Sequence, residues 1–216
     1  MRGPASGPVA GPVSARVAGP VPARGRAGAP GGGIGARPYH RAMPTPVNPI
    51  DEPPSTLTDP REMLDAYLDY YRGVVLHKLD GLGETELRTT RLPSGWTPLE
   101  LLHHLTHVER RWLRWGFLGE PVEAPWGDRG PDDRWHVPED LPPAEVRARF
   151  EEQCAWSRRT VAGVPLDRRA RPGGRFATEA EAPALGWILF HLLQEYARHA
   201  GQLDVVRELA DGTVGE

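Results

Sequence analysis

Near the C-terminus, four polar side chains recur along a segment that otherwise reads as an apolar helix. In "FHLLQEYARHAGQ", His191, Glu195 and His199 follow one another at intervals of four, and Gln202 comes three residues later. On a wheel of about 100° per residue with Glu195 at the origin, His191 falls at about −40°, His199 at about +40° and Gln202 at about −20°. Ile188 and Val206 share that stripe, so it should face the interior. There an ionised carboxylate is costly unless it is paired or bound to a metal. A second segment, "TPLELLHHLTHVERRW", places His104 at the edge of the face formed by Leu101, Leu105, Val108 and Trp112, while His103 and His107 fall on the far side and are expected in solvent. Two histidines and one carboxylate are the ligand set of open metal sites, in which three protein groups hold a divalent ion and leave a position free. The same residues also suit a buried Glu–His pair with His104 as a hydrogen-bonded core histidine.

Four helices would have to carry these groups. The first opens at "DPRE", with Asp59 as N-cap, Pro60 at the first helical position and Glu62 closing the turn. Met63, Tyr67, Tyr71, Val74 and Val75 follow at helical spacing, and "GLG" at 81–83 ends it. The second opens in the same way from Thr97 through Pro98 to Glu100 and is expected to run to about Phe117. Residues 118–140 form a loop dense in Pro, Gly and Asp, a length that is usually functional within a compact domain. Its Trp126, Trp135 and His136 could cover the polar stripe and face a substrate, or equally pack on the surface. A third helix over about 143–162 carries Val146, Phe150, Cys154 and Val161 on one side, with Cys154 read as a core residue rather than a nucleophile. The fourth runs from about 184 to 210 and stops at "DGTVGE". No strand pattern competes, so the expected fold is all-α, a four-helix bundle over 55–216.

Residues 1–54 are of another kind. The first 50 hold six arginines and no acid, "GPV" recurs at 7, 11 and 19, and the segment is expected to be a disordered extension. It reads as a spacer, or as sequence upstream of a true start at Met43; the alternative is an anion-binding arm. Without those 50 residues the chain has 20 basic against 29 acidic residues, a balance that argues against nucleic acid as a partner. No apolar run reaches the length of a membrane span, the N-terminus lacks an apolar signal core, and a single cysteine suits a reducing compartment. The expected location is the cytoplasm.

"GWTPLELLHHLTHVERRW", followed some ninety residues later by "EYARHAGQLDVVREL", resembles the DinB/YfiT-like superfamily of four-helix-bundle metalloenzymes. In that family a histidine of the second helix joins an H-x3-H pair on the last, commonly within H-x3-HRGQ. "HAGQ" at 199–202 matches the end of that motif and His104 the first ligand, whereas Glu195 stands where most members carry histidine. The same exchange occurs in the related mycothiol-dependent maleylpyruvate isomerases. The resemblance spans about 58–216 and is nearest to a branch in high-GC bacteria. It implies His104, Glu195 and His199 as ligands of a divalent metal, zinc first, with nickel or iron as alternatives. It also implies mycothiol as thiol co-substrate in S-transfer or isomerisation of a small electrophile. His191 and Gln202 would then be the catalytic helpers, and Arg198, Trp126 and Trp135 would line the cofactor or substrate. Related bundles are often dimers. The competing reading is a non-catalytic bundle that binds a metal or ligand as a sensor or structural module.

Overall fold

The computed structural model describes residues 51–215. The extension expected over 1–54 therefore lies, up to residue 50, outside the described residues. The body is an all-α bundle: α1 (Pro60–Leu79), a single short turn α2 (Glu84–Leu87), α3 (Pro98–Glu109) continued by a π-helical stretch over Arg110–Phe117, α4 (Pro143–Val161) and α5 (Leu185–Asp211). Among the described residues no strand forms, only isolated bridges at Arg129–Trp135 and Arg169–Ala184. Among the described residues no helix is long and apolar enough to cross a membrane.

Local chemistry sets the helix ends. Asp59 accepts hydrogen bonds from the backbone N–H groups of Arg61 and Glu62 at 2.8 and 2.9 Å, with Pro60 at the first helical position. Thr97 and Glu100 form a reciprocal capping box on α3. Gly212, at φ +80°, closes α5 in the left-handed conformation that glycine adopts without steric cost. Two arginines cap helices across the bundle: Arg61 donates to the Val161 and Val164 carbonyls at the end of α4, and Arg207 to those of Lys78 and Asp80 at the end of α1.

α1 packs along α5 and α3 along α4, with α3 also meeting α5. The buried stripe of α1 is Leu64, Leu68, Arg72, Val75 and Leu79, displaced from the one expected. Met63, Tyr67, Tyr71 and Val74 are only partly buried, and Tyr67 and Tyr71 line a surface groove of about 620 Å³ against α5. Arg72 lies in the middle of this stripe, so apolar periodicity alone does not mark it. Its guanidinium is buried beside Glu109 of α3, Nε to Oε1 2.8 Å. Tyr196 of α5 donates to the same carboxylate oxygen at 2.6 Å, and Cys154 of α4 lies 3.6 Å from it. Burial opposes both charges of the Glu109–Arg72 pair, yet each holds the other ionised. Burial, and then the Glu109 charge, push the Cys154 thiol far above its usual range, so it stays protonated and inert.

The second helix does not continue as α to Phe117. From Arg110 the turns widen, and Leu118 N–H reaches back five residues to the Leu113 carbonyl. Leu113 thereby becomes fully buried, while Trp112, expected on the core face, is only partly covered. The loop after it carries a tight reversal, with Gly130 N–H on the Arg134 carbonyl and His136 N–H on that of Asp128.

Candidate metal centre

α3 and α5 bring His104, Glu195 and His199 together, each offering one ligand atom within 4.8 Å of the others. Glu195 and His199 are a helical turn apart on α5, His199 Nε2 lying 3.3 Å from Glu195 Oε2, and the His104 and His199 rings meet edge to face at 5.2 Å. Both histidines are buried, whereas Glu195 is partly open.

Each imidazole is fixed through its other nitrogen. His104 Nδ1 donates to Asp128 Oδ2 at 2.7 Å, and His199 Nδ1 to Gln202 Oε1 at 2.8 Å. Nε2 of each ring then turns toward the shared point, His199 Nε2 beside Glu195, the orientation that metal-binding histidines adopt when an outer acceptor holds Nδ1. Asp128 is fully buried and also accepts from Arg111 Nη1 at 2.5 Å. Burial alone would raise its pKa, but the bonds from His104 and Arg111 hold the carboxyl well below the usual range. For His104 burial is the larger influence and lowers its pKa despite the Asp128 bond, so it is neutral at pH 7. Glu195 is kept ionised by His191 and His199, with His191 Nε2 3.2 Å from Oε1. Trp135 roofs the site, stacked on His104 at 4.1 Å and edge-on to His199 at 5.3 Å.

The family model described as mycothiol-S-transferase matches residues 63–212. The chain belongs to the mycothiol-S-transferase family. No curated protein matches it.

In this mycothiol-S-transferase family chain, all three donor residues and Asp128 lie inside the matched span. The other residues singled out in the sequence are placed as follows. Gln202 orients His199, and His191 touches Glu195 while packing against Trp112 at 4.3 Å and stacking on Trp187 at 5.4 Å. Trp135 contacts the donor group directly. Trp126 does not: it is 44 % exposed and stacks on Arg111 and Arg129, reaching the site only through Arg111 and Asp128. Arg198 and His136 are exposed. His103 and His107, expected in solvent, are not there: His103 is buried and His107 half-buried, because the loop folds back over that face of α3 with Gly127 against His107. Burial, then the neighbouring His107, lower the His103 pKa to about 4.

The sequence reading missed Asp128 and Arg111. Asp128 stands 24 residues from its histidine in an aperiodic loop, and its one signal was an acid two residues from Trp126 in "APWGDRG".

Proposed function

We propose that the chain is a metal-dependent enzyme that joins the sulfur of a low-molecular-weight thiol, mycothiol, to a small electrophile, with His104, Glu195 and His199 as the metal ligands. The observation that carries this reading is the convergence of those three donors within 4.8 Å, in a chain matched by a mycothiol-S-transferase model. The donor set fits a divalent ion: two imidazoles turn Nε2 toward one point, one carboxylate is ionised, and three protein ligands leave a position open. When bound, such an ion, zinc by preference for nitrogen and oxygen donors, supplies the Lewis acidity that keeps a coordinated thiol deprotonated at neutral pH.

The chain's own residues do the rest. Asp128 raises the basicity of His104 and fixes its ring, and Gln202 does the same for His199. Glu195, in place of a third imidazole, subtracts one positive charge from the site and so favours sulfur as a nucleophile. His191 spends Nε2 on Glu195, and its Nδ1 takes the thiol proton. Sulfur then bonds to the electrophilic carbon as that carbon releases its leaving group, chloride in the case of monochlorobimane. Trp135 and Trp112 shield the reacting groups from water on two sides.

Protein purified without a polyhistidine tag or chelator should carry zinc, nickel or iron in stoichiometric amount by elemental analysis. His104→Ala and His199→Ala should lose metal and melting temperature together, because metal binding is folding free energy. Unchanged metal content in both variants would remove the ligand assignment. Mycothiol-dependent conversion of monochlorobimane, abolished by chelation, separates an enzyme from a non-catalytic metal-binding bundle. Metal without turnover would leave only the latter.

A further inference from the structure

Arg175 is a guanidinium with no acid to answer it. It is half-buried, and its side chain makes no hydrogen bond or ion pair among the described residues. Its Nη1 is shielded from solvent and has no partner. Native structures rarely leave such a donor unmatched, so each case calls for a reason. Three tryptophan rings hold the group instead, Trp112 at 4.1 Å and Trp115 and Trp126 at 5.8 Å. Both burial and the nearby Arg111 work against its charge. Arg111 is itself compensated by Asp128, and Arg175 is not.

Its position is fixed from the backbone outward. Arg175 N–H bonds the Trp115 carbonyl at 3.0 Å, and Arg171 N–H that of Phe117 at 2.9 Å, which pins "RPGGRF" to the end of the π-helical stretch. A Cβ on Gly174 would stand 2.0 Å from the Trp115 carbonyl oxygen and 2.9 Å from Gly119 Cα, so only glycine allows this approach. Two routes lead from the guanidinium to the donor triad. Trp112 packs on His191, which bonds Glu195; Trp126 packs on Arg111, which bonds Asp128 and through it His104.

We infer that Arg175 is a substrate-binding residue that receives an anionic oxygen group, a carboxylate, of a molecule seated beside the metal ligands. The planar fork and its unused Nη1 suit a carboxylate, and the indole walls suit an apolar or aromatic body behind it. Arg198, expected from the sequence to line the cofactor or substrate, is exposed. Naming the ligand as substrate rests on the proposed function; the binding of an anion here does not.

The test uses the full chain stripped of metal, titrated with sodium benzoate at constant ionic strength and followed by tryptophan fluorescence. Stripping the metal keeps this result separate from the metal assignment, since a carboxylate could otherwise bind an ion directly. Wild type should saturate with benzoate and not with benzamide, and Arg175→Gln should bind benzoate about tenfold or more weakly. Arg175→Gln should still take up metal like wild type on reloading. Equal benzoate affinity in the variant, or no saturable response in wild type, would overturn the inference. A second measurement needs no variant: benzoate should raise the wild-type melting temperature above that in benzamide at equal concentration. Absence of that shift would overturn it as well.

Discussion

At the scale of single residues, the geometry of the donor cluster depends on side chains outside the three donors. Asp128 is the clearest: it is fully buried, it is shared between His104 and Arg111, and it decides which nitrogen of His104 faces Glu195. Asp128→Asn keeps the shape but removes the charge and one strong acceptor. Metal affinity should fall about 10- to 100-fold, the usual cost of losing an outer carboxylate, by competition titration against a chromophoric chelator. An unchanged affinity would mean that His104 is held by packing under Trp135 alone. The three donors were legible in the sequence because helical periodicity puts Glu195 and His199 on one face and His104 at the edge of another. Asp128 was not, since its meeting with His104 depends on the path of an irregular loop. The burial of His103 and His107 was missed for the same reason.

At the scale of the helices, the caps were legible because they are local: Asp59–Pro60 and the Thr97–Glu100 box act within four residues of each other. Thr97→Ala should cost about 1 kcal/mol by urea denaturation, the usual worth of an N-cap hydroxyl. Pairings between helices were not legible. Arg72 and Glu109 are 37 residues apart, and each interrupts a stripe that reads as plain apolar core. Glu109→Gln leaves Arg72 buried with only the half-exposed Asp69, 2.7 Å from Nη1, as counter-charge and should cost about 3 kcal/mol in the same measurement at pH 7, the low end for breaking a buried pair. The pair also sets a response to acid. The folded carboxyl titrates below its unfolded value of about 4.3, so the folded state binds fewer protons there. Its stabilisation is complete above that value and is lost as pH falls through the lower, folded pKa. The acid limb of stability should therefore be shallower in Glu109→Gln, by urea midpoints between about pH 5 and 3.

At the scale of the whole molecule, two separate stretches of chain close on the donor group: α3 brings His104, and α5 brings Glu195 and His199. An ion between them should tie the two helices, so chelation should lower the melting temperature, and readdition of zinc should restore it in proportion to occupancy. A melting curve indifferent to chelator would dissociate the donor cluster from any bound metal. Elsewhere one carboxylate oxygen gathers all four long helices, with Arg72 from α1, Tyr196 from α5 and Cys154 from α4 around Glu109 of α3. Separating α1 from α3 would break the buried ion pair, and losing α5 or α4 would take the Tyr196 hydroxyl or the Cys154 thiol from the same oxygen. The bundle should accordingly open all at once, and amide protons deep in α1 and α5 should exchange with deuterium at one common free energy, not in a graded series.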